Sequence, residues 1–259
     1  MKIKTQLTEC LHFSQQAREG NFQFLTERPE SSSMAAILKK AQKPNVLLVG
    51  PSRSGKTSLV HLLARQHPEW KIYGFSLAGI LSGTPYRGMA EERMEQIIAA
   101  ATETGSILFF DEAHQLLTHS ELVNQLKPYL SDNPNFRCIA ATTTEEHRRF
   151  ENDRAIMERF TVLKINPMIK DDQSNAFVKK ANEMSLKHKI SLSHVLVLQA
   201  EKMACLLFKD TCLDNFIDLI DIACVLATDQ NCEEVALSHL ITAASIHSGW
   251  DPNDIINLL

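Results

Sequence analysis

Gly50-Pro51-Ser52-Arg53-Ser54-Gly55-Lys56-Thr57 follows directly on the apolar run Asn45–Val49 and leads into a helically spaced stretch, Lys56–Gln66. A strand, a glycine-bounded loop ending in Lys-Thr, and a helix are the three contexts that a phosphate loop needs. The glycines let the backbone wrap closely, so successive N–H groups and the helix N-terminus converge on the α- and β-phosphates of a nucleotide. Lys56 then reaches the β- and γ-phosphates, and the Thr57 hydroxyl is a ligand for Mg²⁺. Gly50, Pro51, Ser52, Arg53, Ser54, Gly55, Lys56, Thr57 and, one position on, Ser58 are the expected nucleotide-binding residues, with ATP and Mg²⁺ as the implied cofactors.

A second apolar run, Ser106–Phe110, ends in Asp111-Glu112. Neighbouring side chains of a strand point opposite ways, so the two carboxylates meet different environments. Asp111 is placed to hold Mg²⁺ with Thr57, and Glu112 to polarise an attacking water. Asp111-Glu112-Ala113-His114 also spells a helicase signature, but no other helicase motif accompanies it and the four letters carry no weight.

Around these sites the apolar runs Asn45–Val49, Lys71–Phe75, Ser106–Phe110, Phe136–Ala141 and Phe160–Ile165 read as buried strands, alternating with helical patterns at Lys56–Gln66 and Glu91–Thr104. Leu122, Val123, Leu126 and Leu130 mark a further helix that Pro128 weakens. Strands alternating with helices imply a mostly parallel sheet covered on both faces. After Pro167 no strand pattern remains. Phe216, Ile217, Ile220, Ala223 and Cys224 give a buried helix stripe, and Asp251-Pro252 reads as a cap with a first-turn proline. The expected class is therefore α/β, a P-loop NTPase sheet domain followed by a small all-helical lid. Residues 1–19 read as a helical lead-in, 20–166 as the nucleotide-binding domain, 167–250 as the lid and 251–259 as a helical tail.

Net charge is −4 and the sequence pI about 6.2, so no overall positive field recruits nucleic acid. Six scattered cysteines without a CxxC pair read as reduced thiols of a cytoplasmic protein, and no run is long enough to span a bilayer.

From about Gln15 onward the chain resembles the first ATPase module of the Clp/heat-shock unfoldases, an AAA+ group. Gln16–Gly20 resembles the approach to that module. Gly83-Thr84-Pro85-Tyr86-Arg87-Gly88 with Glu91-Glu92-Arg93 is similar to its pore loop and following helix, and Ala140–Arg148 to its sensor strand. Glu151–Phe160 is similar to its arginine-finger segment, Asp214–Asp221 to a helix of its small domain, and Gly249–Leu259 to the link toward a second ring.

The resemblance implies a ring, expected to be a hexamer, that remodels a protein partner. In it Thr142 contacts the γ-phosphate or attacking water with Thr143 as second candidate, Arg159 acts on a neighbour's nucleotide, and Tyr86 grips substrate in the pore. Thr142 or Thr143 could instead cap the helix near Glu145, Tyr86 could pack inward, and Arg148, Arg149 and Arg154 compete with Arg159.

The departures are specific. Pro51–Ser54 replace the family's loop centre, Glu158 precedes Arg159 where two arginines are usual, and Asn215 stands in place of a lysine with Leu213 in place of a proline. His114–Leu130 is shorter than its family counterpart, and the chain reads as one ring of a two-ring machine. These differences support an alternative, an ATP-dependent scaffold or assembly subunit with slow turnover.

Overall fold

A computed structural model describes residues 7, 10–81, 88–133, 135–167, 170–208 and 212–258. Contacts divide the chain into two compact units, residues up to 23 with 27–167, and residues 24–26 with those after 167.

The first unit is built on one six-stranded sheet. Its strands are β1 (Leu11–His12), β2 (Val46–Val49), β3 (Ile72–Phe75), β4 (Ile107–Phe110), β5 (Arg137–Thr142) and β6 (Thr161–Lys164), in the order β1-β3-β4-β5-β2-β6. All neighbours run parallel except β1, which pairs antiparallel with β3. Five apolar runs of the sequence thus form strands within about a residue of their expected ends, as parallel pairing between covered faces demands. Every residue of β2 and of β4 is buried.

The helices that cover the sheet include α1 (Phe13–Arg18), α2 (Pro29–Leu38), α3 (Lys56–Gln66), α4 (Leu77–Leu81) and α5 (Met89–Thr104). A 3₁₀ turn at Ala113–Thr118 leads to α6 (Ser120–Asp132), and α7 (His147–Asn152) and α8 (Arg154–Met157) precede β6. Helix α6 runs straight through Pro128. Its apolar face (Leu122, Val123, Leu126, Leu130) is buried, whereas Asn124 and Pro128 face solvent, where water can serve the carbonyl that proline leaves unbonded.

Strand β1 interrupts a lead-in expected to be helical. Two residues carry no readable period, and the strand exists because β3 offers an edge and Gly74 a gap. A Cβ on Gly74 would lie 2.3 Å from Phe13 Cζ, so the ring packs directly on the β3 backbone. Phe13 also meets His61 edge-on at 4.5 Å between centroids. Gly74→Ala is expected to displace Phe13 and cost about 1–3 kcal/mol of stability, read as a lowered Tm with the Phe13→Ala variant as comparison; an unchanged Tm would show that α1 is not anchored there.

The second unit contains α9 (Lys170–His188), α10 (His194–Phe208), α11 (Cys212–Asp229), α12 (Leu237–Ser248) and α13 (Pro252–Leu258). Helix α11 is its axis: Phe216, Leu219, Ile220, Ala223, Cys224 and Ala227 are all fully buried. Phe216 packs edge-on against Phe177 of α9 at 4.7 Å. The Asp251 side chain accepts from Asn253 N at 2.8 Å ahead of α13, which begins with Pro252. Parallel α/β sheet and trailing helical unit are thus the class the sequence implied. Cys138 and Cys224 are buried, while Cys205 and Cys232 face solvent. Among the described residues no helix is long and apolar enough to cross a membrane.

Candidate nucleotide site

The loop at the C-terminal end of β2 is shaped by backbone demands. A Cβ on Gly50 would fall 2.3 Å from Ile165 O and 2.9 Å from Ser54 Oγ, so only glycine fits between the loop and the end of β6. Gly55 has φ +86° and Arg53 φ +60°, the left-handed conformations that turn the chain into α3. Ser54 N donates to Pro51 O at 3.2 Å and Leu59 N to Gly55 O at 2.9 Å, closing the loop and opening the helix. Pro51, Ser52, Arg53 and Ser58 are exposed, whereas Ser54 and Lys56 are buried.

Lys56 curls back over the loop. Its Nζ donates to Gly50 O at 2.9 Å and to Pro51 O at 2.8 Å. Burial lowers its pKa from the ordinary lysine value, against the opposing pull of the Glu112, Asp111 and Glu145 carboxylates.

The sheet register brings the remaining groups to this loop. Val49 pairs with Thr142 across β2 and β5, and Phe110 pairs with Ala140 across β4 and β5. Asp111 and Thr142 therefore both emerge at the strand ends next to Gly50. The Thr57 hydroxyl donates to Asp111 Oδ2 at 2.7 Å, joining the first turn of α3 to the end of β4. Asp111 Oδ1 accepts from Glu112 N at 3.1 Å. Glu112 itself sits at φ +49°, which swings its side chain away from Asp111, and that side chain is 48% exposed.

His114 lies among these groups. Its Nδ1 is 3.4 Å from Glu112 Oε2 and 3.5 Å from Thr142 Oγ1. The two threonines of the sensor strand part company here. Thr142 is fully buried at the strand end beside His114, whereas the Thr143 hydroxyl accepts from Glu146 N at 3.2 Å and caps the following turn. His114 carries no sequence signal other than the four letters set aside above; three-dimensional contact alone singles it out.

Arg159 is placed elsewhere. Its backbone carbonyl accepts from Asn45 Nδ2 at 3.2 Å, just ahead of β2 and β6, which run parallel with Val46 opposite Thr161. The phosphate loop leaves the other end of β2, roughly 13 Å along the strand, so the two lie at opposite ends of the neighbouring strands β2 and β6. The Arg159 guanidinium donates to Lys127 O at 3.2 Å, to Ser131 Oγ and to Ala155 O. Of its competitors, Arg148, Arg149 and Arg154 are exposed, and Arg149 pairs with Glu146 at 2.7 Å. Tyr86 lies outside the described residues. Asn215, on α11, meets His247 Nε2 through its Oδ1 at 2.6 Å.

The loop suits a phosphate chain with a divalent ion on three counts. Gly50 leaves room for no side chain, the buried Ser54 Oγ has no hydrogen-bond partner among the described residues, and Thr57 and Asp111 present two hard oxygen donors side by side. Nucleotide is the ligand this arrangement can hold.

Known proteins resemble the chain in sequence and in fold. Residues 46–167 match the family model "ATPase family associated with various cellular activities (AAA)". The chain is 28% identical over 209 residues to chaperone protein ClpB 2 of Parasynechococcus marenigrum, an alignment that takes in 74% of this chain and 23% of that protein. It is 29% identical over 210 residues to the ATP-dependent Clp protease ATP-binding subunit ClpC of Staphylococcus saprophyticus, covering 74% of this chain and 26% of the relative. The chain thus spans about a quarter of the length of these curated relatives. In fold it is similar to the S. cerevisiae Hsp104–ADP complex, with a TM-score of 0.79 at 24% identity over 94% of this chain and 45% of that one.

Proposed function

We propose that this chain, whose residues 46–167 match the AAA family of ATPases and which is similar to Clp proteins over about three quarters of its length, hydrolyses ATP with Mg²⁺ in a ring of its own copies and uses that turnover to remodel a protein partner. The hydrogen bond between Thr57 Oγ1 and Asp111 Oδ2 carries the reading, because it joins the hydroxyl of the phosphate loop to the strand-end carboxylate. In this reading the amides of residues 50–57 and Lys56 hold the phosphates, and Thr57 and Asp111 hold Mg²⁺. When bound, that ion would neutralise charge on the phosphates. Glu112 orients the attacking water and accepts its proton, and Thr142, set beside it through His114, steadies the water or the γ-phosphate.

Phosphate release by the purified chain tests the reading. Turnover is expected with Mg²⁺ and not with EDTA; no release under either condition would end the hydrolysis proposal. The protein partner rests on the relatives' names as chaperones and as a Clp protease subunit, and on the fold shared with an Hsp104 solved with casein.

One observation favours the slower, scaffold-like alternative. The Arg159 guanidinium is occupied by its own chain's carbonyls, and Glu158 stands beside it. Placed at the strand ends away from its own loop, Arg159 can act only on a neighbouring copy's nucleotide. Arg159→Ala is therefore expected to lower turnover of the assembled form at least about tenfold while leaving nucleotide affinity unchanged. Turnover equal to wild type would remove the finger and leave the scaffold reading in its place.

A further inference from the structure

Lys56 is not the only cation gripping the phosphate loop. Arg28 enters from a distant part of the chain. Its Nη1 donates to Ser54 O at 2.8 Å, and its Nη2 donates both to Asn166 O at 2.8 Å and to Glu30 Oε1 at 2.6 Å. The Nε completes the fork at Glu30 Oε2, 3.3 Å away. The side chain is only 11% exposed. Its backbone is extended, as the residue before a proline must be, so the guanidinium is launched from a stiff stem at the start of α2. Burial alone would raise the Glu30 carboxyl; the Arg28 hydrogen bonds, Glu30's own N–H and the Arg28 charge outweigh it and hold that carboxyl below its usual range.

These contacts define what Arg28 can and cannot do. Four of its five N–H donors go to two carbonyls and to a carboxylate that neutralises its charge, so its hold is on the backbone of the loop. What it does control is one peptide unit. In a planar trans peptide the carbonyl and the next N–H point in opposite directions. With the Ser54 carbonyl drawn to Arg28, the Gly55 N–H is presented from the opposite edge of that peptide. A Cβ on Gly55 would lie 3.4 Å from Arg28 Nη1, so the arginine occupies that side of the turn. Left alone, a glycine at φ +86° sits in a soft part of conformational space where the preceding peptide flips readily.

We propose that Arg28 is a positioning residue for phosphate binding: by pinning the Ser54 carbonyl to the Asn166 carbonyl and Glu30, it holds the Gly55 amide in the orientation that receives the nucleotide's phosphates. The inference rests on the nucleotide reading of the loop and deepens it. Preorganised amides bind anions because no reorientation is left to perform on binding. Arg28 therefore acts on nucleotide affinity and not on the chemical step.

Arg65 supplies a matched control. It too ties backbone carbonyls, those of Phe22 at 3.1 Å and Gln23 at 2.9 Å, and pairs with Glu27, but it touches no residue of the loop in these contacts. The experiment measures ATP KM and kcat, mant-ADP affinity and Tm for wild type, Arg28→Ala, Arg28→Lys and Arg65→Ala. Both alanine variants are expected to lower Tm. Only Arg28→Ala should raise KM and the mant-ADP Kd, by roughly tenfold, with kcat within about twofold of wild type. Arg28→Lys keeps the charge but cannot hold two carbonyls in a fixed fork, so its KM should also rise; it decides the matter should the alanine variant not fold.

Wild-type KM and Kd in the Arg28 variants, or an Arg65→Ala variant that raises KM equally, would overturn the inference while leaving the nucleotide reading in place. A wild-type chain that binds no mant-ADP would overturn that reading, and this inference with it.

Discussion

Glu112→Gln is expected to lower ATP turnover by about 10²–10⁴-fold and to leave mant-ADP affinity at the wild-type value. The two effects separate because Glu112 is not built into the binding loop. Its backbone N–H bonds Asp111 Oδ1, while its side chain is half exposed and reaches only His114 among the contacts of the site. Glutamine keeps the shape and the backbone contact but cannot accept a proton from water. The residue also holds a left-handed φ of +49°, a conformation that costs of order 1–3 kcal/mol for a non-glycine residue and persists where surroundings enforce it. That backbone parts two adjacent carboxylates, Asp111 toward Thr57 and Glu112 toward His114. Phosphate release and nucleotide titration of the same preparation check the prediction. Turnover persisting in Glu112→Gln would move the base to another residue, and joint loss of binding would make Glu112 part of the loop's architecture.

How far the site could be read in advance depends on whether a residue acts through its neighbours in the chain or through partners far away. Strands β2, β4 and β5 announced themselves because burial on both faces leaves an unbroken apolar run. Asp111 and Glu112 were legible because they directly follow such a run, and Lys56 and Thr57 because they close the glycine-bounded loop between one and a helix. Thr142 and Thr143 are indistinguishable as letters; pairing of Val49 with Thr142 separates them, leaving one beside His114 and the other as a cap. His114 itself was hidden by a coincidence of spelling. Arg28 left no trace because its partners Ser54 and Asn166 lie 26 and 138 positions away. Arg159 could be placed on its segment but not aimed: its contacts with Lys127, Ser131 and Ala155 depend on packing between α6 and α8 that no local pattern encodes. Helix α6 teaches the converse, since a proline that should break it is carried by a buried face of four apolar residues.

Lys56→Ala is expected to abolish nucleotide binding, with the mant-ADP Kd rising by more than about 100-fold, and yet to leave the chain folded with a Tm within about 4 °C of wild type. The direction of its pKa shift is the reason the fold should survive. Burial pulls the Lys56 pKa below the ordinary lysine value, more strongly than Glu112, Asp111 and Glu145 push it up. The folded chain therefore binds this proton less tightly than the unfolded chain does, and folding disfavours the charge. Removing the charge relieves that cost, while losing the bonds to Gly50 O and Pro51 O opposes the gain; water entering the vacated space can serve both carbonyls. The sign has a consequence for pH. The cost of the charge is fully present below the depressed folded-state pKa and disappears as pH rises through the unfolded lysine value, so wild type should gain stability relative to Lys56→Ala on the alkaline side. Bound phosphate reverses the balance, because its negative charge raises the pKa of a cation held against it. Lys56→Arg should not rescue binding, since a planar fork cannot take the place of a compact ammonium folded over two carbonyls. Nucleotide titration and thermal melts of the two variants, run across neutral to alkaline pH, decide it: wild-type affinity in Lys56→Ala, or a melt that collapses at neutral pH, would show that this lysine holds the loop together and not the nucleotide.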